Sequence, residues 1–221
     1  MKLLIKALTK FVFGFLIVGA LLFIPAGTIK FLGAWLFLGL LFLPILILGI
    51  VLFFKSPELL EKRLDVKEKE STQKGVVAAS GLVFLLGFIV SGLDFRFKWS
   101  NVPTSVVIIA AFVLLVSYAL YAEVMRENVY LSRTIEVQQN QKVIDTGLYG
   151  IVRHPMYAVT IWLFLSIPLV LGSFWALLCF IVYVPIIAVR IINEEKVLEN
   201  GLEGYKEYKK KVKYRLIPFI W

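Results

Sequence analysis

The chain has 221 residues, 60% of them hydrophobic and 18% charged, with a mean hydropathy of +0.86; a soluble domain is about half apolar and about a quarter charged. Cys179 is the one cysteine and His154 the one histidine, which excludes an intramolecular disulfide framework and leaves no multi-cysteine or His-rich metal site. Lys and Arg number 24 against 15 Asp and Glu, a basic excess that in so apolar a chain speaks for membrane topology and anionic lipid heads before nucleic acid.

Six uncharged apolar blocks follow in chain order: 11–25, 31–54, 75–93, 106–122, 156–171 and 172–189. Crossing the hydrocarbon layer takes ~20 helical residues, with ~17 as a lower bound. The second, third, fourth and sixth blocks meet that. The first reaches it by borrowing 7–10, whose Lys10 can snorkel to the interface. Its Met1-Lys2 start resembles a signal peptide, but a second apolar block follows at once, so it reads as a retained first span. The fifth block is short and abuts the sixth through Gly172-Ser173, which predicts a tight helical hairpin. The expected fold is an all-α integral membrane protein of about six transmembrane helices with a cytoplasmic C-terminal amphipathic segment. Residues 1–122 would supply spans one to four, and 123–221 a loop, the hairpin and the tail.

Orientation follows from the cations. Only Lys30, Arg96 and Lys98 fall on one side of this alternation, and every other Lys and Arg falls on the opposite side. The positive-inside rule then puts both ends and the large loops in the cytoplasm.

No charged residue interrupts the apolar blocks, which argues against ion channels, proton pumps and charge-coupled transporters. No GxGxxG or phosphate-loop pattern occurs, so a Rossmann-type nucleotide domain is not supported. Two polar clusters remain. The first, Asp145 to Tyr157, leads into the fifth block; Gly147 and Gly150 permit tight turns, and Pro155 suits a helix first turn whose free N–H groups can hold an anion. The second is Arg190-Ile191-Ile192-Asn193-Glu194-Glu195, leaving the sixth block. Arg190 and Glu194 share a helix face, while Glu195 points ~100° from Glu194. A hairpin brings both clusters to one membrane face. There a charged cytosolic cofactor and an apolar substrate from the inner leaflet could meet.

Plainer readings stand beside these. Arg153 and His154 can be interfacial residues near lipid phosphates, and Arg190–Glu194 an ordinary i,i+4 pair worth ~0.2–0.5 kcal/mol. Tyr205, Tyr208 and Lys209-Lys210-Lys211 suit an interfacial anchor. Cys179 suits a small buried apolar residue.

The Arg153-His154-Pro155-Met156-Tyr157 segment, the hairpin, and then Arg190 with Glu194-Glu195 resemble the isoprenylcysteine carboxyl methyltransferase family, itself similar to membrane phospholipid N-methyltransferases. The resemblance is strongest over about 128–221 and makes 123–221 the methyltransferase-like region. It implies an S-adenosylmethionine-dependent enzyme without a Rossmann sheet and without a metal. By similarity Tyr149, Arg153, His154, Pro155, Tyr157 and Glu195 would line the cofactor pocket, and Arg190 and Glu194 would face the methyl acceptor. The acceptor would be a lipophilic small molecule or lipid bearing a carboxylate or thiol, with membrane lipids as surroundings and no nucleic acid partner. Two alternatives are a phospholipid N-methyltransferase acting on an amine headgroup and a non-catalytic membrane scaffold or lipid-binding protein.

Overall fold

A computed structural model describes residues 2–64, 71–131, 135 and 137–221. Nine α-helices and one 3-10 turn make up the described residues, with no strand among them. α1 (Lys2–Ala26) ends at Gly27, whose φ of +67° is a left-handed turn. α2 (Leu32–Lys55) stops at Ser56, which precedes Pro57 and is kept out of the helical region by it. α3 (Pro57–Leu64) is a short connecting helix. α4 (Ser71–Phe97) and α5 (Thr104–Glu127) follow, α5 starting behind Pro103. α6 (Pro155–Val170) has Pro155 at its first position.

The sixth apolar block departs from its expected form. Instead of one helix it forms α7 (Phe174–Ile181) and α8 (Tyr183–Gly201), broken at Val182. The cause is Pro185. It has no N–H to donate, and its ring opposes the carbonyl four residues back, that of Ile181, where α7 ends. α7 and α8 together remain one apolar stretch, Phe174–Gly201. α9 (Tyr205–Lys211) follows Gly204 at φ +79°.

Among the described residues five stretches are long and apolar enough to cross a membrane: α1, α2, Lys74–Phe97 of α4, α5 and Phe174–Gly201. α6, the expected fifth span, is the short one at 16 residues. The expected hairpin is present. Gly172 turns the chain at φ +76°, and the Ser173 hydroxyl caps α7 by accepting from Ala176 N–H at 3.0 Å.

Two ends of the bundle can be told apart by their contacts. At one, Phe31 stacks on Phe95 at 4.2 Å. The buried carboxylate of Asp94 there accepts from the Ser100 N–H at 2.7 Å, the Ser100 hydroxyl at 2.6 Å and the Ser173 hydroxyl. The α4–α5 connection is thereby tied to the hairpin turn. The third block stops one residue short of Asp94, so the sequence treated as loop what is a buried tie. The main core, including Leu22, Phe37, Leu114, Ile167 and Phe180, fills the space above it. Gly92 allows α1 and α4 to touch: a Cβ there would lie 2.6 Å from the carbonyl of Leu22. Tyr149, Arg190, Glu195, α3 and α9 gather at the opposite end, which is the basic one.

Candidate active site

The sequence at the basic end folds by local rules first. Asn128 ends α5 and accepts from Tyr130 N–H at 3.0 Å, turning the chain outward. It returns through the 3-10 turn Gly147–Gly150, whose first residue must be glycine: its φ is +51°, and a Cβ would fall 1.6 Å from Glu127 Oε1. Glu127 can then accept from the Leu148 N–H at 3.1 Å. That fixes Tyr149, whose hydroxyl accepts from Asn128 Nδ2 at 3.0 Å and whose carbonyl accepts from the Tyr208 hydroxyl at 2.7 Å.

Arg153 and His154 come next, both buried. Their backbone N–H groups donate to the carbonyls of Tyr214 and Arg215, each at 2.9 Å, which ties the C-terminal tail to the start of α6. In the first turn of α6 the N–H groups of Tyr157 and Ala158 donate to the His154 carbonyl, each at 3.1 Å. The Arg153 guanidinium donates to Glu195 Oε1 at 2.8 Å and to the carbonyls of Val212 and Lys213, both at 2.7 Å. His154 Nε2 lies 3.3 Å from the same glutamate oxygen. Arg215 donates to Glu195 Oε2 at 3.1 and 3.0 Å, and Lys209 Nζ lies 3.6 Å from it. Glu195, 2% exposed, is therefore the shared partner of Arg153, Lys209 and Arg215 and lies beside His154.

A different arrangement surrounds Glu194. The Tyr157 hydroxyl donates to Glu194 Oε2 at 2.5 Å and accepts from Arg190 Nε at 3.0 Å. The i,i+4 pair on α8 is bridged by a phenol from α6, which an ordinary surface pair would not need. Tyr149, Tyr157, Arg190 and Glu194 share one cavity of about 90 Å³ with Asn128, Met156 and Tyr205.

Of the expected site residues, Tyr149, Tyr157, Arg190 and Glu194 are thus brought to one cavity. Arg153, His154, Pro155 and Glu195 stand behind it, where they join α6, α8 and the tail. Tyr205 and Tyr208 are not an anchor facing lipid. Both are buried against the site, and burial pushes each phenol well above its usual range. Lys209 pairs with Glu199 and Lys211 with Asp145, the latter at 2.7 Å. Sequence reasoning missed Arg215 and Lys209 as partners of Glu195, and Asn128 as the partner of Tyr149. Nothing in their spacing pointed to the site, because the tail that brings Arg215 back arrives by tertiary contact alone.

The buried Tyr205 hydroxyl has no hydrogen-bond partner. A buried unsatisfied hydroxyl costs about 1–3 kcal/mol, so its place in the wall of a polar cavity marks a position where a ligand would bond. Among the described residues no cluster of three His, Cys, Asp or Glu side chains could hold a metal.

The model of the phospholipid methyltransferase family matches residues 102–203. This region is similar to membrane methyltransferases, in keeping with the resemblance read from the motifs. It runs from the start of α5 to just beyond α8 and includes every cavity-lining residue named above except Tyr205. No curated protein matches the chain.

Proposed function

We propose that the protein is an S-adenosylmethionine-dependent membrane methyltransferase that methylates a lipophilic carboxylate or thiol at the cytoplasmic interface. The observation that carries this is the convergence of Tyr157, Arg190, Glu194 and the orphan Tyr205 hydroxyl on one cavity, the first three within the region that the phospholipid methyltransferase model matches.

The donor set fits S-adenosylmethionine, a molecule with an amino-acid end and ribose hydroxyls. Tyr205 and Tyr149 offer phenols, Asn128 an amide, and Gln141 and Lys142 a further amide and cation. The closed cavity of about 90 Å³ is smaller than the ~300 Å³ or more of sites for ligands of this size. Binding therefore requires the cavity to widen. When bound, S-adenosylmethionine supplies a sulfonium-held methyl group that passes to an acceptor lone pair, the sulfur leaving as a neutral thioether.

The chain's own residues would hold the acceptor in line with that methyl group, an effect of proximity worth several kcal/mol. The Arg190 guanidinium would orient an anionic acceptor, and Glu194 would take the proton of a thiol. Tyr157 would hold both in register. The Glu195 ion cluster would position α6 against α8 and so set the shape of the site. The basic end of the bundle would face the cytoplasm with both chain ends, and α6 would complete six crossings as the short span.

A second reading, transfer to a phospholipid amine headgroup, is supported by the description of the matched family. Calorimetry of S-adenosylmethionine in detergent tests the methyltransferase reading itself. Methyl transfer into total lipid extract against a panel of lipophilic thiols and carboxylates separates the two acceptors. Label appearing only in amine headgroups would replace the first reading with the second.

A further inference from the structure

The chain beyond α9 turns back onto the bundle. Leu216 is buried among Val83 of α4, Tyr157 of α6 and Tyr183, Ile187 and Ile191 of α8, and Trp221 packs against the same group. Val83 lies ~14 Å along α4 from Lys74, where that membrane-crossing stretch begins. A segment that follows a polar helix is thereby returned to the level of apolar helix surface. Within it the Trp221 carbonyl accepts from the N–H groups of Arg215, Leu216 and Ile217 at 2.8, 2.9 and 3.2 Å. The Ile217 carbonyl accepts from those of Ile220 and Trp221, both at 3.1 Å. Backbone donors satisfied inside the turn are what an apolar setting demands of a non-helical segment.

The tip of this turn is apolar and bare. Phe219 is 88% exposed, Ile220 76% and Ile217 45%. Phe219 stands at φ +66°, a conformation that a bulky residue adopts only at a cost, and its ring rests on Tyr214 at 5.2 Å. The strained residue is thus the one presented furthest outward, and an exposed apolar patch marks an interaction surface. Cations stand behind the tip. Residues 203–215 carry six Lys and Arg against two Glu, and Lys206, Lys210 and Lys213 are exposed. An apolar edge beside a basic surface complements hydrocarbon overlaid by anionic headgroups.

We propose that residues 216–221 form a wedge seated in the bilayer leaflet at the basic end, and that this seating holds the tail on the polar site. Ile217, Phe219 and Ile220 lie among acyl chains, and Lys206, Lys210 and Lys213 meet anionic headgroups. The link to the site is short. Arg215 precedes the wedge and donates to Glu195 Oε2 at 3.0 Å, while its guanidinium lies 5.0 Å over the Trp221 ring within the wedge. The carbonyls of Tyr214 and Arg215 hold the N–H groups of Arg153 and His154. Withdrawal of the wedge from lipid loosens Trp221 and Arg215 together and leaves Glu195 with one cation fewer. The arrangement of the site then follows the composition of the leaflet, anionic lipid favouring the docked tail. The inference needs a membrane-embedded chain and not the methyltransferase reading, and residues 204–221 lie beyond the matched region 102–203.

Cys179 is the one cysteine, so a Cys179→Ser background takes a single nitroxide label at Ile220→Cys or at Lys210→Cys. The full-length protein is placed in nanodiscs of phosphatidylcholine with phosphatidylglycerol, and relaxation of each label by oxygen and by a water-soluble nickel chelate is measured. The Ile220→Cys label should be relaxed at least threefold more by oxygen than by nickel, and the Lys210→Cys label the reverse. Nickel relaxation of the Ile220→Cys label as strong as that at Lys210→Cys would overturn the inference. So would shielding from both reagents, which would give the tip to a protein surface such as a second copy. Hydrogen exchange at the Arg153 and His154 amides reads the link to the site. Phe219→Asp combined with Ile220→Asp should speed it at least tenfold, while Phe219→Leu with Ile220→Leu should stay within twofold of wild type. Nanodiscs of phosphatidylcholine alone should speed it about threefold in wild type, and Lys206→Gln, Lys210→Gln and Lys213→Gln together should abolish that difference. Exchange equal in the two lipids would contradict the headgroup contact. Exchange unchanged in the aspartate pair would overturn the link between wedge and site, whatever the affinity for S-adenosylmethionine.

Discussion

The Tyr157 hydroxyl donates to the Glu194 carboxylate at 2.5 Å, across the contact between α6 and α8. The same oxygen accepts from Arg190 Nε, so one phenol holds a carboxylate and a guanidinium at a fixed separation. Tyr157→Phe keeps the ring packing and removes the bridge. Turnover should fall about tenfold, with cofactor affinity within twofold of wild type. In a double-mutant cycle with Glu194→Gln the two losses should fall well short of additive, because both variants break one network.

Glu194→Gln alone keeps shape and removes the charge. Turnover should fall by roughly 10²-fold or more, the scale of a lost acid–base group. S-adenosylmethionine affinity measured by calorimetry should change little. A variant with full turnover would take Glu194 out of the chemistry.

Glu195 is expected to behave differently despite being its neighbour. Its carboxylate faces Arg153, Arg215 and His154 in a buried setting, and removing one partner of such a cluster costs about 3–5 kcal/mol. Glu195→Gln should therefore lower the thermal midpoint by several degrees and weaken cofactor binding at least tenfold through the altered site. Loss of binding at unchanged stability would mean that Glu195 touches the cofactor directly.

Tyr205→Phe separates a ligand-binding hydroxyl from a structural one. With no partner for the hydroxyl, its removal should leave stability equal or raise it by about 1 kcal/mol. Cofactor affinity should meanwhile fall about tenfold, or ~1.4 kcal/mol. A fall in stability with unchanged affinity would contradict this role.

The phenols of Tyr149, Tyr205 and Tyr208 are all raised, in each case chiefly by burial. A group whose folded pKa is raised contributes stability that is complete below its unfolded pKa and is lost as pH rises beyond it. For tyrosine that loss begins near pH ~10. The thermal midpoint should drop above that pH, and less steeply in Tyr208→Phe than in wild type. Equal slopes would show that other groups govern alkaline unfolding.

Much of the fold was legible because apolar length is a one-dimensional property. The apolar blocks became helices, and Gly172-Ser173 became the turn of a hairpin. The break at Val182 was missed, although Pro185 marks it, because hydropathy does not register a lost backbone donor. At the site, the face shared by Arg190 and Glu194 follows from helix geometry. The bridge from Tyr157 and the return of Arg215 to Glu195 do not, since both depend on how α6 and the tail dock. Tyr205 and Tyr208 beside three lysines read as an anchor because composition cannot tell a tyrosine facing lipid from one facing a cavity.

The most direct test of the central claim is transfer of a labelled methyl group from S-adenosylmethionine by the purified protein in nanodiscs, offered a 16-carbon thiol or carboxylate. Wild type should form the labelled thioether or ester, and Glu194→Gln should form it at least 10²-fold more slowly while still binding the cofactor. Absence of cofactor binding and of any labelled product in wild type would contradict the account.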